Sequence, residues 1–374
     1  MSTRSLSLFL AAMVLLGQPQ VRAEDDEAVA RTKKELLPRP ITLNAERLPL
    51  SNALAELARQ TGNHVADRRQ TKTDPGLKLD LNHSTFWPAL EAIAKAAGCG
   101  ISTYQPDGKV ALVDGSLPSV TTVYQGIVRV FIVGIAVSRD DKAGTHVGTV
   151  TLDIAWEPRF EPLYLEVGPV QATFALDNKA VASRCALPGQ GKISVAGKSA
   201  LEVPIPLPAP MRSSAAIKTL EAHLQLTGPG KMLTFAFPNL NASTQGKDHI
   251  QRSGEEGVQV SLSGLKTASN RWSIEVLVEN PRGNPVFESY QSWLGNNHIW
   301  LEKGEGPGRI VWPPRAGDEQ VHIETATQAK IVYSFHIPPR QSKGLTTDWT
   351  LIYRTPGRIV EMAVPFAFKE IPLP

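Results

Sequence analysis

The sequence contains few cysteines, and its histidines do not cluster. Only Cys99 and Cys185 occur among 374 residues, whereas a small exported domain held by disulfides carries more cysteines at closer spacing. We therefore interpret both as small buried side chains, with a bridge between them as the alternative. No two of the eight histidines have the spacing of metal ligands beside a carboxylate, so the sequence predicts no metal site and no cofactor.

A strong excess of charge is lacking as well. The chain has 39 Lys and Arg residues against 36 Asp and Glu residues, without a basic stretch. Binding to a nucleic-acid backbone depends on such a stretch. We therefore predict that nucleic acid is not a partner.

Residue patterns that indicate catalysis are lacking too. Glu157 and Glu161 lie on either side of Arg159 between two prolines. A glycosidase needs two carboxyl groups that face each other across a cleft, so we interpret this segment as a charged surface turn. Ser263 and Lys266 have the spacing of the serine–lysine motif of penicillin-recognising enzymes, but the further motifs of that chemistry do not accompany it. The sequence predicts no catalytic residues.

A short apolar run follows the first methionine. Arg4 precedes the run Leu6–Leu16, and Ala23 precedes an acidic segment. These are the features of a secretory signal peptide, predicted to span residues 1–23 and to be removed after Ala23. The run is shorter than the roughly twenty residues that cross a bilayer, and a retained membrane anchor is the alternative. We expect the mature chain to have no transmembrane segment.

Residues 41–114 follow a charged segment, 24–40, that is predicted to be a flexible leader. An apolar period of two followed by a period of 3.6 predicts a strand that leads into a helix packed on the sheet. This pattern occurs twice, as strands Ile41–Asn44 and Leu77–Asn82 with helices Leu50–Ala58 and Phe86–Ala97. Gly62 and Gly98 are predicted to end the helices, and Ser84 to cap the second one.

A hairpin is predicted to close this segment. Its strands are Ile101–Tyr104 and Lys109–Val113, and Pro106-Asp107-Gly108 between them has the chemistry of a turn. With a further strand at Asn63–Asp67, the predicted order is strand, helix, strand, strand, helix, hairpin. The segment is thus an α+β module.

The module resembles the short N-terminal domain of secretins and TonB-dependent transducers (the STN domain). The matching residues are Ile41-Thr42-Leu43, Leu48-Pro49-Leu50-Ser51-Asn52-Ala53-Leu54 and Leu57-Ala58-Arg59-Gln60-Thr61-Gly62. The resemblance implies a bacterial periplasmic or cell-envelope location and a role in docking or signalling with an envelope protein. The family places this module ahead of a membrane barrel or secretin pore, and neither follows here.

From Gly115 onward, short apolar runs recur between turn signals, which predicts β-sandwiches. The first group of predicted strands is Val120–Tyr124, Ile127–Ser138, Val147–Ala155, Leu163–Val167, Ala172–Leu176, Lys192–Val195, Ala222–Leu226 and Met232–Phe237. The second group is Val258–Leu262, Arg271–Val278, His298–Glu302, Arg309–Trp312, Val321–Thr325, Ala329–Ile337, Trp349–Tyr353 and Arg358–Phe368. Between strands of the first group, Arg212–Thr219 is predicted to form a helical turn or a loop.

The two groups have similar lengths and similar closing strands, Leu233–Phe237 and Val364–Phe368. We therefore predict two tandem immunoglobulin-like sandwiches. The first spans residues 120–238 and the second spans residues 258–374, with a polar linker, 239–257, between them.

Five of the seven tryptophans lie in the second predicted sandwich. Trp272 and Trp349 alternate with apolar residues, so we predict that both are buried. Tyr290, Trp293, Trp300 and Trp312 are candidates for an exposed aromatic platform that stacks on a sugar or a peptide. The alternative is that these rings fill the sandwich core.

Three functions follow from these observations. The first is an exported, non-catalytic envelope protein that acts as a scaffold or interaction component with an envelope protein partner. The second is a polysaccharide- or peptide-binding protein that uses the aromatic platform. The third is an enzyme of a type that the sequence does not indicate.

Overall fold

The computed structural model describes residues 18–140, 145–176, 181–187, 191–208, 214–240, 251–268, 270–280, 296–325, 327–338 and 348–373. Strands outweigh helices and form several sheets, which confirms that the fold is mainly β. Residues up to Gly230, together with those from Val360 onward, form one compact unit (unit 1), and Lys231–Ile359 form another (unit 2). Among the described helices, none combines the length and the apolar character that a bilayer crossing requires.

Helix α1, Gln18–Glu35, occupies most of the segment predicted to be a flexible leader. The leader prediction is therefore wrong for residues 24–35. These residues are rich in Ala, Glu, Lys and Arg, which favour helix, and Leu36 just beyond the helix is buried in the core of unit 1. Residues 1–17 of the predicted signal segment lie outside the described residues.

The segment predicted to be an α+β module, residues 41–114, contains five strands and two helices. Its elements are β1 (Ile41–Pro49), α2 (Leu50–Thr61), β2 (Ala66–Asp67), β3 (Gly76–Ser84), α3 (Phe86–Ala97), β4 (Gly100–Ser102) and β5 (Ala111–Val113). β1 pairs with β3 in one sheet, and β5 lies between β2 and β4 in another. Gly62 and Gly98 adopt left-handed conformations at the helix ends. Thr85, not Ser84, occupies the N-cap position of α3.

Two further sheets of unit 1 form a sandwich. The first sheet contains β6 (Thr122–Gln125), β7 (Val128–Asp140), β8 (Thr145–Trp156) and β13 (Ala200–Pro208), and the second contains β9 (Tyr164–Val167), β10 (Val170–Leu176), β11 (Val181–Leu187), β12 (Ile193–Ser194), β14 (Ser214–Pro229) and β24 (Ile359–Pro372). A single apolar core contains residues of both sheets, for example Val130 and Ile154 from the first and Leu224 and Phe366 from the second.

Strand β14 corrects the prediction of a helical turn or loop at Arg212–Thr219. Ile217 and Leu220 are both fully buried although they are three residues apart, a spacing typical of helix. The pairing between β10 and β14 shifts register at this point, and the extra residue of such a bulge brings side chains three apart onto one face of a strand. The bulge therefore imitates helical spacing.

Unit 2 contains a four-stranded and a five-stranded sheet. The first is built from β15 (Met232–Phe237), β19 (His298–Lys303), β20 (Ile310–Trp312) and β23 (Thr350–Pro356), and the second from β16 (Gln251–Glu255), β17 (Val258–Ala268), β18 (Arg271–Glu279), β21 (Gln320–Glu324) and β22 (Gln328–His336). Trp272 and Trp349 are buried in the common core, as predicted, with ring centroids 5.8 Å apart.

The predicted tandem arrangement is wrong, because neither closing strand pairs within the sandwich that it was predicted to close. β15 pairs with β23 inside unit 2, and β24 pairs with β14 inside unit 1. Unit 2 is therefore inserted into the chain of unit 1, and the boundary predicted near residue 238 is displaced to Gly230. Both strands alternate small and aromatic residues, and such a pattern specifies a buried face without specifying the partner sheet. The predicted linker 239–257 contains β16.

Candidate functional site

The structure describes two of the four residues of the predicted aromatic platform, Trp300 and Trp312, and these two do not form a common surface. Tyr290 and Trp293 lie outside the described residues. Trp312 pairs with fully buried Leu301, so its side chain faces the core of unit 2. Trp300 precedes Leu301 and therefore faces the opposite side of the sheet. A single surface that uses both tryptophan rings is contradicted by this register.

The junction between the α+β module and the sandwich in unit 1 is the candidate site instead. The module covers the outer face of the sheet formed by β6, β7, β8 and β13, because Ala155 and Ala200 of this sheet belong to the apolar core of the module. Trp87 at the start of α3 is buried there, and its indole Nε1 donates to the carbonyl oxygen of Ile127 at 3.1 Å.

One buried polar group at this junction is the Glu157 network, formed by Asn63, Glu157 and Arg159. The fully buried Glu157 carboxylate accepts hydrogen bonds from Asn63 Nδ2 at 2.9 Å and from Arg159 Nε at 2.7 Å. Asn63 Oδ1 in turn accepts from the backbone N–H of Arg159 at 3.0 Å. Because Asn63 belongs to the module and the other two residues follow β8, the network fixes one body to the other.

Arg159 extends this network to the end of α1. Its guanidinium donates to the carbonyl oxygens of Glu35, Leu36 and Leu37 at 2.9, 2.8 and 2.7 Å. Carbonyl groups at a helix C-terminus lack partners within the helix, and a cation at this position is favourable. Arg159 thus holds three segments together: the module, the sandwich and α1.

A second polar group, the Arg129 network, contains Glu91, Tyr104, Tyr124, Arg129 and Asp153. The Arg129 side chain is only 8% exposed and lies 3.7 Å from the Glu91 carboxylate and 3.6 Å from the Asp153 carboxylate. Its guanidinium also lies 4.6 Å from the centre of the Trp87 ring, a cation–π geometry. Tyr124 donates to Glu91, and Tyr104 donates to Asp153 at 2.6 Å.

Burial controls the ionisation of these groups. Loss of solvation raises the pKa of Glu157 and the pKa of Asp153, although Arg159 and Arg129 oppose the increase. Partial loss of solvation and the neighbouring carboxylates also raise the pKa of Tyr104, which is 53% exposed, and the pKa of Tyr124, so both hydroxyls remain protonated donors. The arrangement is suited to holding two bodies together.

Two spaces lie on opposite faces of strand β6. A cleft of about 360 Å³ is lined by Thr122 and Tyr124 of β6, by Arg129 of β7 and by Glu91 of the module. A groove of about 570 Å³ is lined by Val123 and Gln125 together with residues of β10, β14 and β24. Successive residues of a strand point to opposite faces, which explains why neighbouring residues of β6 line different spaces.

The interpretation of Glu157 and Arg159 as part of a charged surface turn is wrong. Arg129 and Asp153 were not among the site residues predicted from the sequence. A usable signal exists, since Arg129 interrupts the apolar run that starts at Ile127 and Asp153 interrupts the run Val150–Ile154. Opposite charges in consecutive apolar strands indicate a paired, covered face. Among the described residues, no group of three His, Cys, Asp or Glu side chains is arranged to hold a metal ion.

Comparison with known proteins shows no family for this chain. No family model matches the sequence, and no curated protein matches it. Among solved structures, it is similar to a chain in the atomic model of the Salmonella SPI-1 type III secretion injectisome basal body proteins InvG, PrgH and PrgK. That similarity covers 86% of this chain and 92% of the other, with 8% sequence identity and a TM-score of 0.15.

Proposed function

We propose that the chain is an exported, non-catalytic protein of the bacterial cell envelope that acts as a scaffold for a protein partner. In this proposal the chain contains an STN-like module and two immunoglobulin-like sandwiches, and the module together with the sandwich of unit 1 presents the binding surface. The observation that supports it is the buried Glu157 network, which joins module and sandwich through Asn63 and Arg159. Rigid attachment suits a module that positions a partner, because the position of the bound partner is then defined by the scaffold.

The test is site-specific photo-crosslinking in the source bacterium. Lys78 and Asp80 lie on the exposed face of β3 and are suitable sites for a photoreactive residue, with the exposed position Gln320 of unit 2 as the matched control. We expect a discrete adduct with an envelope protein from the module positions and none from the control. Adducts only with cytosolic proteins, or no adduct from any position of unit 1, would refute the role.

A mass measurement tests the export part of the proposal. Cleavage after Ala23 gives a mature chain that begins at Glu24 and keeps Leu36 and the helix end bound by Arg159. We expect that mass in the periplasmic fraction. A full-length chain in the membrane fraction would instead support the retained anchor.

A further inference from the structure

Strand β6 lies at the margin of its sheet and carries none of the charges, prolines or bulges that protect many such strands. The sheet order is β13-β8-β7-β6, and no described strand pairs with the other side of β6. Its sequence, Thr-Val-Tyr-Gln, contains no charged residue and no proline, and its pairing with β7 is regular from Thr122 to Gln125. Natural proteins protect sheet edges with charges, prolines or bulges.

The opposite margin of the same sheet is protected. β13 carries Pro204, Pro206 and Pro208 at alternate positions. Proline has no N–H to donate, and in sheets it is confined largely to edge strands. One margin of this sheet is therefore closed to a further strand, and the other is open.

The backbone of β6 is suited to accept a strand. A two-residue turn, Gly126-Ile127, joins β6 to β7, and in such a hairpin the pair that closes the turn is hydrogen-bonded and the next pair is not. The backbone N–H and C=O groups of Thr122 and Tyr124 therefore point away from β7. They offer the hydrogen-bonding groups for an added strand, whose alternate side chains would lie towards the cleft and towards the groove.

The charges that line these spaces indicate the chemistry of the ligand. In the cleft, the Glu91 carboxylate already accepts from Tyr124 and lies 3.7 Å from Arg129, so its charge is compensated. The groove contains the exposed carboxylate of Glu221. Arg129 is the one Lys or Arg side chain among the described residues that line either space, and it is buried and already paired. A second copy of this chain would bring the same carboxylates together, which is unfavourable.

We propose that the free edge of β6 binds an extended segment of a partner protein by strand addition, and that this segment carries basic side chains on the face that lies towards the groove. Backbone hydrogen bonds supply affinity in this mode of recognition, and pockets for alternate side chains supply specificity. The inference depends on the proposed role as a partner-binding protein and locates one binding surface for that role.

The test uses the mature chain and labelled octapeptides in fluorescence anisotropy. The basic peptide alternates pairs of valine with pairs of lysine, so that the face towards the groove carries lysine in either register, and the acidic peptide has glutamate in place of lysine. We expect the basic peptide to bind at least ten-fold more tightly than the acidic one. Thr122→Pro removes an outward N–H and should abolish binding, whereas Thr122→Val keeps the N–H and should bind at least ten-fold more tightly than Thr122→Pro.

Further variants separate the outcomes. Glu221→Gln should weaken binding several-fold, and Glu46→Gln, on the exposed face of β1, should not. Equal affinity of the two Thr122 variants, or of the two peptides, would overturn the proposal. A concentration-dependent dimer that Thr122→Pro abolishes would assign the edge to a second copy and also overturn it. If peptide binding fails while the photo-crosslinked envelope adduct persists, only this binding surface is wrong and the scaffold role stands.

Discussion

At the scale of single residues, a few buried charges determine how the parts of unit 1 are joined. Glu157 is completely buried and depends on Asn63 and Arg159 for its hydrogen bonds. A buried ion pair adds little net stability by itself, yet removal of one partner is costly because the other is left buried and unpaired. These charges therefore fix the geometry of the junction more than they increase the free energy of unfolding.

The ionisation of Glu157 makes stability depend on pH. Burial raises its folded pKa above the ordinary value of 4.5, so its contribution to stability is complete below the unfolded pKa and is lost as pH rises through the folded pKa. The difference in unfolding free energy, wild type minus Glu157→Gln, should therefore fall as pH rises above 4.5. Its slope is at most about 1.4 kcal/mol per pH unit. Urea denaturation over a series of pH values measures this difference, and a difference that rises with pH would contradict the prediction. Glu46→Gln serves as the exposed control.

Arg129→Met leaves the carboxylates of Glu91 and Asp153 without their cation. We expect a loss of about 3–5 kcal/mol in unfolding free energy, the usual cost of breaking a buried ion pair. Adding Glu91→Gln and Asp153→Asn removes the unpaired charges and should recover part of that loss. Urea denaturation of the single and triple variants provides the measurement. A loss below about 1 kcal/mol in the single variant would show that the network is not important for stability.

Burial of individual apolar residues could be predicted from the sequence, and burial of charged residues could not. Trp272, Trp349 and Cys99 are buried as their apolar neighbours indicate. Arg129 and Asp153 lie on the outer face of their sheet, and an outer face is normally in contact with water. Only the position of the module makes that face an interior. The opposite charges in consecutive apolar strands indicate a covered face, but they do not show which part of the chain covers it.

At the scale of elements, α1 is attached to unit 1 through its C-terminal end. Arg159→Lys keeps the positive charge but cannot reproduce the hydrogen bonds to the carbonyls of Glu35, Leu36 and Leu37. We expect faster hydrogen exchange and faster proteolysis across α1, with a loss of about 1–3 kcal/mol in unfolding free energy. Arg31→Lys, on the exposed surface of α1, should leave both rates unchanged. Equal protection of α1 in the two variants would contradict the proposed attachment.

Elements with a constant period were predictable, and elements with a break in their period were not. α2 and α3 keep one apolar face and end at a glycine, so both their type and their C-terminal ends follow from the sequence. β14 contains a bulge, and the altered spacing of Ile217 and Leu220 resembles that of a helix. α1 lacks a broad apolar stripe, so no periodic pattern predicts that Val29 and Leu36 pack against the core of unit 1.

At the scale of the whole molecule, the chain enters and leaves unit 2 at neighbouring points. The backbone N–H of Gly357 donates to the carbonyl oxygen of Lys231 at 3.0 Å. Replacing residues 231–357 with an Asn-Gly turn should therefore give a unit 1 that unfolds cooperatively. A chain cut after residue 238 lacks β24, which supplies Phe366 and Phe368 to the core, and should aggregate. Circular dichroism melts and gel filtration distinguish the two results. Cooperative unfolding of the cut chain would contradict the importance of β24.

The position of β24 also determines what happens when the protein is nicked by a protease. The C-terminal strand is covalently connected to the rest of unit 1 only through unit 2, yet its apolar side chains lie in the core of unit 1. A single peptide bond cut in a loop of unit 2 therefore yields two fragments that stay associated until denaturant separates them. Such a protein would migrate as two bands in a denaturing gel and as one particle in solution.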